Sequence, residues 1–312
     1  MDRFEAMSIF LRVVEKGSFS AASRDLRMPL ATVSRKVGDL EVHLGSKLLI
    51  RSTRKLALTE AGAVYLASAR RILEEVSEAE QLAAGEFHMP RGELILTAPV
   101  LFGRLHILPV VTDFLAAYPE INVRLTLSDR NLHLIDDHID MAVRIGRLPD
   151  TSMVATRIGT VRPVVCASPG LLARYGTPKS PADLARWPCV NFDFFSPAPV
   201  WPFRQQGAKA AMEMPIHPRL SVSTAEAAVA AATEGVGATR VLHYQCAEAL
   251  NAGALRIMLA DFELDPLPIH LLHAGRAALP SKTRVFLEFA TARLRQRLKH
   301  LPPAATNDAI ED

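Results

Sequence analysis

The apolar residues change period at Pro90-Arg91-Gly92, and that change limits the possible folds more than any other feature of the chain. Before it they recur at three- and four-residue spacing, interrupted once by a short β-prone segment. After it, short β-prone runs alternate with helical ones. A helical head and an α/β body are therefore predicted, and 312 residues suit two or three domains. Apolar residues at 49% and charged residues at 22% let both parts bury cores and exclude disordered, collagen-like and low-complexity classes.

In the head, Phe4, Met7, Phe10, Leu11 and Val14 keep helical spacing, and Lys16-Gly17 offers a cation and then a left-handed cap. Ser18 or Ser20 can cap a second, short helix that stops near Met28-Pro29. A third helix is predicted from Leu30 to about His43, with Val33, Val37, Leu40 and Leu44 inward and Thr32, Ser34, Arg35, Lys36 and Asp39 on its other faces. Residues 48–58 form a hairpin candidate with Arg51, Ser52, Thr53 and Arg54 at its tip. Thr59-Glu60-Ala61 opens a fourth helix reaching about Phe87, which is about 42 Å at ~1.5 Å per residue. Its stripe of Leu66, Ala69, Leu73, Val76 and Ala83 favours pairing with a second copy over packing on its own body.

Two helices joined by a tight turn, the second showing hydroxyls and guanidinium outward, fit the major groove of duplex DNA. Arg35 is the first choice for a base contact, with Ser34 and Thr32 as partners. Lys36 suits a phosphate contact or, equally, a solvated surface. Arg51 and Arg54, with Ser52 and Thr53 between them, would reach backbone or minor groove, and Ser20 completes the set. Charge points the same way: residues 1–60 hold 11 basic and 7 acidic side chains, a net +4 against +3 for the whole chain.

In the body, strands are predicted at 93–98, 121–127, 141–145, 161–167, 189–192, 219–222, 255–258 and 269–273. Helices are predicted at 100–118, 131–138, 169–175, 181–187, 224–234, 239–251 and 281–297. The alternation argues a mainly parallel sheet covered on both faces, long enough for two lobes, with crossings near 156–161 and 262–268. Open α/β sheets bind ligands at strand carboxyl ends, where Thr97-Ala98-Pro99-Val100 and Ser221-Val222-Ser223-Thr224-Ala225 form strand-to-helix corners. Helix capping is the alternative role for Thr97 and Thr224, and an ion pair for Arg144.

No nucleophile elbow, paired-histidine zinc helix, Walker loop or dinucleotide fingerprint occurs, so an enzyme is not expected, and neither catalytic nor metal-binding residues nor a cofactor are assigned. His133 to His138 is the most metal-like cluster, read as a solvated acidic face. Cys166, Cys189 and Cys246 lack disulfide or zinc spacing and are read as reduced, buried thiols. An acidic N-terminus without a cleavage site, and no uncharged apolar run of roughly 18 residues, predict a cytoplasmic chain without membrane spans.

Residues 2–62 closely resemble the winged helix-turn-helix of LysR-type transcriptional regulators. The match runs through Phe4-Glu5-Ala6-Met7, Glu15-Lys16-Gly17-Ser18-Phe19-Ser20-Ala21-Ala22, Ala31-Thr32-Val33-Ser34-Arg35-Lys36-Val37 and Leu58-Thr59-Glu60-Ala61-Gly62. Phe102-Gly103-Arg104, Tyr118-Pro119, Ser128-Asp129-Arg130-Asn131, the run Ile139–Asp150 and Gly235-Val236-Gly237 are similar to that family's effector domain, extending the likeness to about residue 297. Pro29-Leu30 departs from the Ser-Gln pair common in the family, which leaves Leu30 only an apolar contact to a thymine methyl.

The resemblance implies a winged helix-turn-helix domain at 1–58, a dimerisation helix at 59–89, a two-lobed α/β domain like a periplasmic binding protein at 90–300, and a flexible tail at 301–312. Lobe 1 would take about 90–160 and 269–300, and lobe 2 about 161–268. It places a small-molecule effector near Thr97, Pro99, Val100, Phe102, Arg144, Gly146, Asn191, Ser223, Thr224, Thr239 and Arg240. It also implies a homotetramer that binds an interrupted promoter dyad in double-stranded DNA and bends it. The alternative reading is a cytoplasmic small-molecule-binding protein whose head mediates protein contacts.

Overall fold

The computed structural model describes residues 2–51, 56–83, 89–130, 134, 137–148, 153–192, 199–205, 210–275 and 279–299. It separates into two compact units, residues 1–89 and 90–312.

The head is built from α1 (Arg3–Glu15), α2 (Phe19–Leu26), α3 (Leu30–Leu44), the two-stranded wing β1 (Leu49–Arg51) and β2 (Leu56–Leu58), and α4 (Glu60–Ala83). Asp2 caps α1 by accepting from the N–H groups of Phe4 and Glu5, and Ser18, not Ser20, caps α2 through Ala21 N–H at 3.1 Å. Helix α2 ends on Arg27 in left-handed backbone, φ 53°, and α3 ends on Gly45 at φ 63°. Ala6, Ile9, Phe10, Val13, Ala22, Val33, Val37 and Leu40 close one core. Leu44, expected inward, is 39% exposed because it lies past the last core-facing turn.

The wing is fixed to α3 by a residue that carries no periodic signal. Glu41 is buried and accepts from the backbone N–H of Leu48 (3.0 Å) and Leu49 (3.2 Å) and from Lys47 Nζ (2.8 Å). Thr59 Oγ1 caps α4 through Gly62 N–H at 2.9 Å and donates to Lys47 O at 2.6 Å. The first half of α4 is committed to its own head: Ala69 is fully buried, Tyr65 and Leu66 pack on the head core, and the Tyr65 ring stands 5.8 Å from Phe10. Beyond Ala69 the stripe leaves Leu73 and Val76 partly exposed. The expected continuation to Phe87 lies outside the described residues.

In chain order the body comprises β3 (Gly92–Ala98), α5 (Val100–Phe102), a π-helical turn (Gly103–Ile107), α6 (Leu108–Ala117), β4 (Ile121–Leu127), β5 (Met141–Ile145), β6 (Met153–Val161), β7 (Pro163–Ala167) and α7 (Pro169–Tyr175). It continues through a 3₁₀ turn (Pro181–Arg186), β8 (Pro188–Phe192), β9 (Val200–Phe203), β10 (Met212–Pro215), β11 (His217–Val222), α8 (Ala225–Thr233), β12 (Ala238–Leu242) and α9 (His243–Asn251). Last come β13 (Arg256–Met258), a 3₁₀ turn (Ala260–Phe262), β14 (Leu267–Ala274) and α10 (Ser281–Lys299).

Two five-stranded sheets result, ordered β4-β3-β5-β14-β6 and β11-β8-β12-β7-β13, with β9 and β10 a separate hairpin. The first three strands of each sheet are parallel, and β14 and β7 alone run against their neighbours. Each reversed strand is the one by which the chain arrives from the other sheet. The departing strand β6 and the returning strand β14 pair with Val161 opposite Leu267, so the two crossings lie side by side. Arg162 Nε and Glu263 Oε2 bridge them at 3.0 Å. The core of the first sheet is filled by Leu94, Leu96, Phe114, Met141, Ile269 and Phe286, and Leu242 and Tyr244 join it from the far side of the crossings.

Several expectations are corrected. Residues 238–242 form a strand, not the start of a helix running 239–251, because pairing with both β7 and β8 claims their backbone. Strands β6, β9 and β10 went unseen, the helix over 100–118 contains a π-helical turn, and 181–186 is 3₁₀. Most of the helix expected at 131–138, with His133, lies outside the described residues. The window Val100–Ala117 has a mean hydropathy of 1.5, long and apolar enough to span a bilayer, but it contains Arg104 and Asp113 and buries Phe102, Ile107, Val110, Val111 and Phe114 in the core.

Candidate nucleic-acid interface and small-molecule site

Because α3 holds Val33, Val37 and Leu40 in the core, its opposite face is fixed by helix geometry: Ala31, Arg35, Asp39 and Val42 are exposed. Arg35 stands near the middle of that face, with Thr32 about 60° to one side and Ser34 about 100° to the other, both partly covered. Lys36 is not free: it forms an ion pair with Glu5 of α1 and is only 22% exposed. The sequence suggested a phosphate contact or, equally, a solvated surface there, and the structure gives the ammonium an intramolecular partner. Ser20 is exposed in the first turn of α2. Arg51 belongs to β1, but its side chain, like Ser52, Thr53 and Arg54, lies outside the described residues. Missed in the sequence were Arg24 and Arg27, both exposed where α2 ends beside the turn into α3.

In the body the parallel trio of each sheet brings its candidates to one carboxyl edge. Thr97 lies near the end of β3 with Pro99 and Val100 after it, Arg144 lies near the end of β5 with Gly146 after it, Asn191 lies near the end of β8, and Ser223 and Thr224 follow β11. Thr97 does not cap α5. Its hydroxyl is buried without a hydrogen-bond partner among the described residues, and Asp129, after β4, accepts from Val100 N–H at 3.0 Å. Burial raises the Asp129 carboxyl, the Val100 N–H lowers it, and the like charge of Glu226 in the first turn of α8 raises it again. In the sequence Asp129 stood out only within the family-like run Ser128–Asn131, and its bond with Val100 spans 29 residues and leaves no local signal.

Thr224 does cap α8, accepting from Ala227 N–H at 3.3 Å, and Ser223 beside it is exposed. Arg144 is half-buried, donates to Val143 O at 3.3 Å, and has its pKa lowered by burial. Gly146, at φ 111°, donates its N–H to Pro268 O at 2.8 Å. Three candidates sit differently from what was expected. Phe102 is fully buried, its ring 4.7 Å from His106 and 5.6 Å from Tyr244, and so belongs to the core. Thr239 and Arg240 are consecutive in β12 and face opposite sides. The Thr239 hydroxyl donates to Val190 O at 3.1 Å, and burial pulls Arg240 down to about 10. Asn191 is buried in β8. Among the described residues no three His, Cys, Asp or Glu side chains are grouped to hold a metal. Cys246 Sγ instead donates to His243 O, and all three cysteines are buried and free.

A helix with Arg35 outward on a compact helical core, joined to two sheets that each gather candidates at a carboxyl edge, defines a DNA-binding head with a ligand-binding body. Residues 4–63 match the family described as bacterial regulatory helix-turn-helix protein, lysR family, and residues 88–295 match the LysR substrate binding domain. An HTH-type transcriptional regulator of Xanthomonas campestris is 36% identical over 291 residues, spanning 92% of this chain and 84% of that protein. The HTH-type transcriptional activator AaeR of Escherichia coli is 32% identical, covering 93% of this chain and 94% of the relative. The solved structure of CrgA, a LysR-type transcriptional regulator from Neisseria meningitidis, superposes with a TM-score of 0.59 at 32% identity, covering 93% of this chain and 98% of that one. The chain belongs to the LysR-type transcriptional regulators. It is a DNA-binding regulator with a substrate-binding domain for a small-molecule effector, which displaces the reading of the head as a protein-contact module.

Proposed function

We propose that α3 enters the major groove of promoter DNA with Arg35 donating to a base edge, Thr32 and Ser34 beside it, and the wing residues Arg51, Ser52, Thr53 and Arg54 following the backbone. Ser20 contacts phosphate from the start of α2, and Lys36 does so only by leaving Glu5. Two copies pair along the exposed part of α4, and two pairs form a homotetramer on an interrupted dyad, bending the DNA between half-sites. In this reading the protein works in the cytoplasm, where its operator is. The effector lies between the carboxyl edges of the two sheets, against Thr97, Pro99, Val100, Arg144, Gly146, Asn191, Ser223 and Thr224, with Phe102, Thr239 and Arg240 shaping the site from within. It acts through unequal affinity for two arrangements of the lobes, since equal affinity shifts nothing.

The observation that carries the DNA reading is the exposed Arg35 at the centre of a face whose opposite side is fully buried. Arg35→Ala is expected to weaken binding to operator over random DNA by about 1 to 3 kcal/mol, measured by titration at one fixed salt concentration. Equal losses on both DNAs would make Arg35 a phosphate contact.

A further inference from the structure

The C-terminal end of α10 gathers cations from three elements. Arg295 donates through Nε and Nη2 to Arg157 O of β6, at 3.3 and 2.9 Å. Arg297 donates through Nη2 to Leu105 O at 3.4 Å, next to Arg104 in the π-helical turn. Leu298 packs against Gly159 so closely that a Cβ there would overlap it, which brings Lys299 to the same place. All five basic side chains are exposed. β6, the π-helical turn and α10 beyond Glu288 contain no acid, and Asp113 of α6 pairs with Arg293. Among the described residues none of the five forms an ion pair. Residues 90–299 hold 23 basic and 18 acidic side chains, so this one patch equals the body's whole excess of positive charge.

The helix dipole favours cations at a C-terminus, which accounts for Arg297 and Lys299 in the last turn but not for Arg104 and Arg157, which other elements supply. Like charges repel, yet two of the guanidinium groups are held in the cluster by backbone carbonyls instead of spreading into solvent. Groups fixed in this way lose little freedom on meeting a phosphate, whose oxygens the planar fork of arginine matches. A small phosphorylated ligand would need enclosure, and these side chains are all exposed. An extended polyanion needs only a charged surface, and duplex DNA, already the ligand of the head, carries one charge per about 1.7 Å of its axis. We propose that this face of the body binds the phosphate backbone of the DNA, adding to the contacts of the head a hold that is blind to sequence. The assignment rests on the head binding DNA.

The test uses full-length protein with Arg104→Gln, Arg157→Gln and Lys299→Gln together, because the bonds that fix α10 here use the side chains of Arg295 and Arg297 instead. A control carries Arg174→Gln, Arg219→Gln and Arg256→Gln, which removes the same charge from exposed positions on α7, β11 and β13. Both are titrated beside the parent, from about 50 to 200 mM salt, on a long duplex enriched from a randomised pool and on a random duplex of equal length. Losing three phosphate contacts should make the salt dependence shallower by about 2.7 for each body engaged. Over that range the parent then loses about 40-fold more affinity than the variant, on both duplexes alike. The control should follow the parent. A salt dependence unchanged in the patch variant, or reduced equally in the control, would overturn the assignment. So would a loss confined to the enriched duplex, which would make the patch a reader of bases. Unchanged DNA binding with impaired transcription in a purified system would make it a contact for an acidic protein and would also overturn the assignment. A parent that binds neither duplex overturns the DNA reading beneath it, and is a distinct result.

Discussion

Glu41 shows how one side chain can decide local structure. Burial would raise its carboxyl, but the hydrogen bonds from Lys47, Leu48 and Leu49 outweigh that and hold it below the ordinary value. Glu41→Gln exchanges an oxygen for a donor facing these donors, and a loss of about 2 to 3 kcal/mol of head stability is expected in urea titrations at pH 7. Since the folded value lies below the ordinary 4.5, the stabilisation is complete above that pH and fades as pH falls through the folded value. The glutamine variant should lack that acid limb. His106 presents the opposite chemistry with the same sign. Burial, with a smaller contribution from Arg297, lowers it from 6.5 to about 4, so it is neutral when folded and takes up a proton on unfolding in between. Body stability should fall by about 2 kcal/mol from pH 7 to pH 5 on this account. His106→Phe, which retains a ring against Phe102 and Tyr244, should flatten the dependence in denaturant titrations at the two pH values.

At the scale of elements, the head depends on how closely α4 approaches the wing. A Cβ on Gly62 would overlap the Leu48 carbonyl, whose oxygen also accepts from Thr59 N–H. Backbone on both sides leaves nothing flexible to yield. Gly62→Ala is expected to cost the head about 1 to 3 kcal/mol and to lower its melting temperature while leaving the body's transition in place, as calorimetry would resolve. If the variant melted like the parent, the close approach would be without consequence. The same element explains why the stripe on α4 reads ambiguously. Its first half packs on the head core while Leu73 and Val76 of its second half are partly exposed, yet both keep one spacing.

For the whole molecule, the body has two sheets but not two independent cores. Tyr244, on α9 beyond the crossings, sits in the core of the first sheet with its ring 5.7 Å from His106. The two lobes should therefore unfold together, giving one calorimetric transition for the body. Tyr244→Ala, which empties an aromatic site in that shared core, is expected to cost about 3 kcal/mol and to separate the lobes into two transitions. A body that still melts in one step would place the coupling elsewhere, with the Arg162–Glu263 bridge the next element to remove.

The sequence by itself determined what local rules govern. Ser18 or Ser20, and Thr59, announced helix starts, Val33, Val37 and Leu40 set which face of α3 turns outward, and the period change at Pro90 separated head from body. These signals span one or two turns and need no partner. Tertiary structure decided what depends on distant groups: the burial of Glu41 beneath the wing, the pairing that makes Thr239 and Arg240 a strand, the carboxylate of Asp129 on the N–H of Val100, and the ion pair that occupies Lys36. Each of these is set by a contact with residues far along the chain, and spacing along the chain cannot encode a partner that only folding brings near.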